Sequence, residues 1–359
     1  MDGAGRSLSF GKAIICVGGH PRRLNFPGSE LAIVHNEVWS LDHLPQSIAI
    51  IGASATGCQL ASIFSAFGAQ VTLLEVANRV LPQEDELTSQ VVGDVFARRK
   101  INLINQIEAI QSITREQGDM GLRYRKNGDD QFLQVKAVLM AAGWVGNIED
   151  LGLDAAGVVS EKTYIPVNDF LQTTSPNIFA AGDITGRMML VQSGSYEGRI
   201  AAENAVLGTG QPQKHQIVPH GGFTDPEYAG VGLTEKQARV VENDPVVVVV
   251  PYKSLDRAVI DGLTEGFCKL IVSNENHRIL GAHIVGEQAV ELAQTVAAGM
   301  AADMWVEHLA DLELAYPTYT SILGLAARRA AAIMGTMPLT PAWRVFENTP
   351  VSEWERIQD

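Results

Sequence analysis

The chain has 359 residues, 46% of them hydrophobic, so it is long enough for two or three domains with buried cores. Its formal net charge of −14 argues against a nucleic-acid partner, which would leave a basic patch, and against attraction to an anionic membrane surface. No apolar run approaches the roughly 18 residues of a transmembrane helix, and no secretory signal is recognisable. We therefore expect a soluble cytoplasmic protein with no nucleic-acid or membrane partner.

The three cysteines, Cys16, Cys58 and Cys268, are far apart and form no Cys-x-x-Cys or zinc-type pair. This spacing favours a reducing compartment and no disulfide framework. Cys58 opens a predicted helix, whose dipole could lower a thiol pKa, but apolar packing is the favoured interpretation of all three thiols. The eight scattered histidines lack ligand spacing, so we predict no metal site.

The clearest predicted unit begins at residue 48. Residues 48–51 form a short apolar run, and a glycine-rich turn follows over 52–57. The apolar side chains over 60–67 then fall at i, i+3, i+4 and i+7, which predicts an amphipathic helix closed by Gly68. Residues 71–74 form a second apolar run that ends at Glu75. Strand, turn, helix and strand in this order predict a parallel sheet covered on both faces.

The turn between the first strand and the helix is typical of a dinucleotide-binding site. Its backbone N–H groups and the helix N-terminus can bind a pyrophosphate, and Glu75 stands where an acidic residue accepts hydrogen bonds from a ribose. Because Glu75 would repel a 2′-phosphate and no arginine follows it at once, NAD is favoured over NADP. Ser54 replaces the middle glycine of the motif, and its Cβ would weaken phosphate binding. The alternative is a Rossmann-like domain that has lost its ligand.

Further strands are predicted over 135–142, running into Gly143, and over 177–181, running into Gly182 and Asp183. After residue 212 the pattern changes, because several predicted strands follow one another in the sequence and the predicted helices come after them. The predicted strands are 246–252, 267–273 and 279–285, and the predicted helices are 289–304 and 319–334. Strands followed by helices predict a separate α+β domain.

Several motifs together resemble the pyridine nucleotide-disulfide oxidoreductases, which include dihydrolipoamide dehydrogenase, mercuric reductase and glutathione reductase. Residues 10–28 resemble the end of that family's FAD domain, 174–183 its second FAD motif, and 223–227, 231–234 and 279–283 its dimerisation domain. The resemblance implies an α/β fold: a Rossmann-like NAD-binding domain within a partial FAD-binding domain, plus a C-terminal α+β dimerisation domain. It divides the chain into 1–46 (FAD-domain remnant), 47–147 (NAD-binding), 148–213 (second FAD part), 214–335 (dimerisation) and 336–359 (tail).

The resemblance also implies FAD and NAD as cofactors and a homodimer. The residues expected to bind the cofactors are Gly52, Ser54, Gly57, Glu75, Gly143, Gly182 and Asp183. In the family the strand-end aspartate, here Asp183, contacts the ribityl or phosphate region of the flavin.

The chain also departs from the family. The first FAD motif and the redox-active Cys-x4-Cys pair would precede residue 1, so the resemblance implies a chain without the N-terminal FAD half-domain. Gln59 stands at the position of a glutamate that the family uses near the flavin. Near the carboxyl end, Tyr316 occupies the position of the family's histidine base and Ser321 that of its glutamate. A tyrosine titrates near 10 and is a poor base at neutral pH, but its hydroxyl can donate a hydrogen bond, so Tyr316 is the candidate catalytic residue.

These departures leave two functions open. One is an FAD- and NAD-dependent oxidoreductase that passes hydride from NADH through flavin to an unidentified small-molecule or other acceptor, without the usual redox disulfide. The other is a truncated, NAD-binding pseudoenzyme or dimerising module without bound flavin. Fold resemblance alone cannot choose between them.

Overall fold

A computed structural model describes residues 8–208, 210–214 and 217–336. The predicted tail therefore lies, from residue 337 onward, outside the described residues. Within the described ranges, no helix combines the length and the apolar character needed to cross a membrane.

The strands are β1 (Ala13–Ile15), β2 (Gly19–Pro21), β3 (Ile33–Val34), β4 (Ser47–Ile51), β5 (Gln70–Leu74), β6 (Asn102–Ile104), β7 (Ala109–Glu116), β8 (Asp119–Lys126), β9 (Asp129–Val135), β10 (Ala137–Met140), β11 (Trp144–Gly146), β12 (Ile178–Ala180), β13 (His220–Gly222), β14 (Tyr228–Gly232), β15 (Val246–Pro251), β16 (Phe267–Val272) and β17 (Ile279–Val285). The helices are α1 (His35–Val38), α2 (Ala55–Ala66), α3 (Glu86–Arg98), α4 (Val191–Leu207), α5 (Glu235–Val241), α6 (Asp256–Asp261), α7 (Ala289–Ala301), α8 (Val306–Ala310) and α9 (Ser321–Ile333).

The chain separates into two compact units, each built from two chain segments. The first unit combines residues 1–22 with 142–216. In it β1 pairs in parallel with β12, β2 pairs antiparallel with β11, and α4 packs against β1 and β12. Ile165, Leu171 and Ala180 are fully buried and belong to its two small apolar clusters.

The second unit combines residues 23–141 with 217–359, and its amino-terminal part holds a parallel five-stranded sheet. The strand order is β3-β10-β4-β5-β6. Every residue of 48–51 and of 71–74 is buried, because helices cover the sheet and such strands must be apolar on both faces. The predicted strand–turn–helix–strand unit is confirmed, with α2 following β4 and Gly68 adopting the left-handed conformation (φ 93°) just after it.

An antiparallel sheet of β7, β8 and β9 lies between β6 and β10 in the chain. The amino-acid pattern does not predict this sheet. Its outer strands are largely exposed and rich in charged and amide side chains, so the alternation of apolar and polar residues is weak there. The predicted strand over 135–142 is shorter in the structure, where β10 covers Ala137–Met140.

The carboxyl-terminal part of the second unit is an antiparallel sheet of order β13-β14-β17-β16-β15 that packs against α7 and α9. This arrangement confirms the predicted α+β region, although α7 ends at Ala301, earlier than predicted. Tyr228, Phe267 and Val285 of this sheet belong to the same apolar cluster as β4 and β5. The α/β fold with an added α+β region agrees with the predicted fold class.

Candidate functional site

The glycine turn after β4 has a backbone that two glycines make possible. Gly52 has a φ of 106°, which side-chain-bearing residues rarely adopt. A Cβ on Gly57 would lie 1.8 Å from the carbonyl oxygen of Gly52. Glycine at position 57 therefore allows α2 to approach β4 closely and brings the helix N-terminus to the edge of the sheet.

Ser54 lies at the N-cap position of α2, is exposed, and makes no side-chain capping hydrogen bond. The first N–H groups of a helix have no partner within the helix, and the Ser54 side chain does not replace one here. The partial positive charge of the helix dipole adds to these free donors. The N-terminus of α2 therefore fits an anion such as a pyrophosphate, and Ser54 stands beside that position.

Glu75 connects the end of β5 to the glycine turn. Its Oε2 accepts the N–H of Ala53 at 2.6 Å, and its Oε1 accepts the N–H of Ala77 at 2.9 Å. The side chain is buried, so a negative charge is fixed at the base of the turn. Each carboxylate oxygen has a second lone pair, so these bonds leave capacity for a ribose hydroxyl.

Two neighbouring side chains on α2 are occupied within the protein. The Cys58 thiol is fully buried and donates to the Ala53 carbonyl at 3.1 Å. Burial raises the pKa of Cys58 far above its usual value, so the helix dipole does not activate this thiol. Gln59 accepts the N–H of Phe223 at 3.2 Å and donates to the Ala55 carbonyl at 3.1 Å, so it connects α2 to the carboxyl-terminal sheet region.

The other cysteines differ from each other. Cys268 on β16 is fully buried, which raises its pKa to about 12 and confirms the packing interpretation. Cys16 follows β1 and is exposed, so the prediction that it packs in an apolar environment is wrong. Because β1 is only three residues long, Cys16 lies beyond the paired part of the strand. All three thiols are free.

The segment that resembles the second FAD motif lies in the first unit. Gly182 has a φ of 80°, and its N–H donates to Glu197 Oε2 at 2.7 Å. Glu197 on α4 is fully buried. Asp183 is half-buried, and its pKa is raised by burial and, to a smaller extent, by the charge of Glu197. The buried glutamate therefore fixes the backbone at the turn that presents Asp183.

Three further observations in the first unit bear on a cofactor. The hydroxyl of Ser193, in the first turn of α4, is buried and has no hydrogen-bond partner among the described residues. A Cβ on Gly194 would lie 3.5 Å from the Cα of Gly182, so α4 begins close to the Gly182 turn. Gly143 has a φ of 101° and accepts the N–H of Arg22, which belongs to the same unit. An unsatisfied hydroxyl beside a fixed glycine–aspartate turn fits a polar ligand such as FAD.

Tyr316 lies between α8 and α9 in the second unit, with an exposed ring. Its hydroxyl donates to Asp256 Oδ2 at 2.9 Å. Ser321 is buried, and its hydroxyl lies 3.3 Å from that of Thr318. A tyrosine–aspartate pair thus occupies the position at which the resemblance would place a histidine.

The structure brings Gly52, Ser54, Gly57 and Glu75 together at the carboxyl ends of β4 and β5. Gly143, Gly182 and Asp183 belong to the first unit, and Tyr316 to another region of the second. Sequence reasoning assigned no role to Glu197 or Asp256, whose partners are 15 and 60 residues away. Over the described part of the chain, no group of three or more His, Cys, Asp or Glu side chains could hold a metal ion.

Comparison with known proteins agrees with these features. The pyridine nucleotide-disulphide oxidoreductase family matches residues 1–198, and its dimerisation domain matches residues 218–327.

Among the relatives, dihydrolipoyl dehydrogenase of Bacillus subtilis is 29% identical over an alignment that includes 89% of this chain and 68% of that protein. Dihydrolipoyl dehydrogenase of Mycobacterium tuberculosis is 31% identical, with 90% of this chain covering 70% of it. Mercuric reductase of Staphylococcus aureus is 30% identical, with 90% of this chain covering only 59% of it.

Solved structures give the same result. The HOCl-induced flavoprotein disulfide reductase RclA from Escherichia coli has a TM-score of 0.82 and 27% identity, over 88% of this chain and 73% of that one. LpdA from Mycobacterium tuberculosis has a TM-score of 0.81 and 28% identity, over 88% and 69%. Such proteins are oxidoreductases that use FAD and NAD(P). With both domains matched in order, this chain belongs to the pyridine nucleotide-disulphide oxidoreductase family.

Proposed function

We propose that the protein is an FAD- and NAD-dependent oxidoreductase that takes hydride from NADH and passes it, through flavin, to an acceptor other than a protein dithiol. A homodimer in the cytoplasm is part of the same proposal. The observation that carries the proposal is the N-terminus of α2, which no side chain of Ser54 caps. It follows a turn whose conformation requires Gly52 and Gly57, and the Glu75 carboxylate accepts a backbone N–H of that turn.

On the nicotinamide side, the chain would bind the pyrophosphate with the first N–H groups of α2 and the ribose with Glu75. Glu75 is buried and both its oxygens are hydrogen-bonded, so its position is fixed before the ligand arrives. A fixed carboxylate repels a 2′-phosphate, which supports NADH over NADPH.

On the flavin side, Gly182 and Asp183 would hold the cofactor, and Ser193 offers an additional hydroxyl. Glu197 keeps the Gly182 N–H turned toward α4, and so orients the turn before the cofactor binds. The flavin, when bound, supplies the capacity to accept a hydride and release electrons to the final acceptor.

The acceptor is the part of the proposal in which this chain differs most from a dithiol enzyme. Cys58 and Cys268 are buried with raised pKa values, Cys16 has no neighbouring thiol in sequence, and Tyr316 replaces the histidine. The Tyr316 hydroxyl donates its proton to Asp256, so its oxygen is left to accept a hydrogen bond, and phenols in general are poor bases near neutral pH. These features support a non-thiol acceptor.

The test is the visible spectrum of the purified full chain before and after incubation with FAD. We expect a retained flavin band that NADH bleaches anaerobically and that an equal concentration of NADPH bleaches much more slowly. A protein that stays colourless after incubation with FAD would exclude the enzyme and favour the flavin-free module.

The nucleotide preference is tested with Glu75→Gln. We expect weaker NADH binding and a smaller preference for NADH over NADPH, because the amide removes the charge and leaves one oxygen for two N–H donors. The control is Glu86→Gln, since the Glu86 side chain is 75% exposed and lies outside the turn. An unchanged NADH to NADPH ratio in Glu75→Gln would contradict the role of Glu75.

A further inference from the structure

A cavity of about 560 Å³ lies in the second unit, at the amino-terminal ends of β4 and β10. It is lined by Ile33 of β3, the segment 41–46 apart from Asp42, the β7–β8 hairpin and the first residues of β10. The nucleotide turn follows the opposite, carboxyl-terminal end of β4. The cavity is therefore separate from the proposed NAD site. Its volume lies within the range of roughly 300–1,000 Å³ that is typical of small-molecule pockets.

Most of the surface of this cavity is apolar. Eight of its thirteen lining residues are Leu, Ile, Val, Ala, Met or Pro. Leu41 and Leu44 remain 38% and 44% exposed beside it, although residues of this kind are usually buried. An apolar ligand body would cover these side chains and gain from the burial of both surfaces.

The charged side chains that line the cavity are both basic. Arg115 and Lys136 line it, and none of the thirteen lining residues is Asp or Glu. This is unusual in a chain that has 41 acidic and 27 basic residues. An anionic ligand in the cavity would therefore meet basic side chains and no lining carboxylate, although the chain as a whole is acidic.

The two cations differ in their partners. Lys136 forms an ion pair with Asp119, so the positive charge of Lys136 is already balanced. Asp119 also accepts a hydrogen bond from Gln134 at 2.7 Å. The Arg115 side chain makes no hydrogen bond or ion pair with any described residue. It pairs with Met120 across β7 and β8, so both side chains stand on the face of the hairpin that lines the cavity. One free guanidinium beside an apolar wall fits one carboxylate, which it can bind with two parallel hydrogen bonds.

We propose that this cavity is a binding site for a small monocarboxylate with an aliphatic or aromatic body, which Arg115 binds through the carboxylate. The site does not depend on FAD or NAD.

The test is isothermal titration calorimetry of the full chain with sodium octanoate, and with octanamide as its neutral counterpart. We expect one saturable octanoate site per chain and at least tenfold weaker binding of octanamide. Arg115→Gln should weaken octanoate binding about tenfold or more and bring it to the level of octanamide. Leu44→Trp, which fills the cavity from an exposed position, should weaken both ligands.

The matched control is Lys126→Gln, which makes the same change of charge in the same sheet. Lys126 is the last residue of β8, whereas Arg115 pairs with Met120 near the first residue of that strand. It should leave the octanoate affinity within about twofold of the unmodified chain, and urea denaturation should show that each variant is folded. The proposal is overturned if octanoate does not saturate, if octanamide binds as tightly, or if folded Arg115→Gln keeps the original affinity.

Discussion

At the scale of single residues, Gly57 is the position in the nucleotide turn that has the least space for a side chain. A methyl group there would overlap the Gly52 carbonyl at 1.8 Å, and that atom belongs to the backbone and cannot rotate away. We predict that Gly57→Ala moves α2 away from β4, lowers the free energy of unfolding by about 1–3 kcal/mol, and abolishes measurable NADH binding. Urea denaturation and NADH titration measure the two effects.

The matched control for this prediction is Gly93→Ala. Gly93 is in the interior of α3, where an added Cβ would meet only Val80 at an ordinary 3.8 Å. Since alanine favours a helix over glycine, this variant should gain about 0.5–1 kcal/mol and keep NADH binding. Equal stability losses in both variants would contradict the close approach at Gly57.

The residues of the candidate site that sequence reasoning identified are those of a short, local motif. Gly52, Gly57 and Glu75 lie within 24 consecutive residues, and strand and helix periodicity on either side gave them a structural context. Glu197 and Asp256 carry no such signal, because only the folded chain brings each near its partner. The hydrogen bonds that Glu75 accepts from Ala53 and Ala77 could not be predicted either, because sequence spacing does not determine which backbone N–H groups donate to a carboxylate.

At the scale of elements, a buried ionic cluster joins α3, α5 and β16. Lys269 donates to Asp85 at 2.8 Å and to Glu235 at 2.6 Å, and the Lys269 and Asp85 side chains are 5% and 1% exposed. Burial opposes ionisation of Asp85, but the hydrogen bonds from Lys269 and from the Glu235 N–H outweigh it and lower its pKa. The pKa of Glu235 is lowered chiefly by Lys269.

We predict that Lys269→Met lowers the free energy of unfolding by about 3–5 kcal/mol at pH 7, because it leaves Asp85 buried without its cation. With Lys269 present, the two lowered pKa values stabilise the fold above the unfolded values near 4 and lose that effect as the pH falls through the folded values. In the variant, burial instead raises the pKa of Asp85, and protonation relieves the cost. The difference between the two proteins should therefore shrink from pH 7 toward pH 4.

Urea denaturation over this pH range measures the difference. Lys253→Met is the control, because Lys253 is an exposed lysine of the same α+β region, and it should change stability by no more than about 0.5 kcal/mol at any pH. A pH-independent effect of Lys269→Met would mean that lost packing, and not the unpaired carboxylate, destabilises the variant.

The elements themselves were predicted unevenly for a physical reason. The buried strands β4, β5, β16 and β17 are nearly continuous apolar runs, which is a strong signal. Helix α3 was missed although Asp85 caps it and its buried positions include Val92, Val95 and Phe96, because buried Thr and Ser interrupt the apolar stripe. The residues of the ionic cluster could not be paired from the sequence, because hydrogen-bonded partners lie 150 and 184 positions apart and local periodicity does not connect them.

At the scale of the whole molecule, the family's dimerisation domain over residues 218–327 leads us to predict a homodimer. The large side chains of Trp305 and Leu312 remain about half exposed in this region of the single chain. Light scattering during size exclusion should give twice the 38.7 kDa of one chain. A mass of one chain at every concentration would contradict the prediction.

The pairing of β1 with β12 has a consequence for synthesis on the ribosome. Lys12, just before β1, binds Asn177, just before β12, across 165 positions of sequence. At roughly 5–20 residues per second, β1 emerges about ten to thirty seconds before its partner exists. During that interval its unpaired backbone is open to capture by other strands or by chaperones. The first unit therefore cannot form its β1–β12 pair until residue 178 has been synthesised, and a pause of the ribosome between residues 22 and 178 would prolong the exposure of β1.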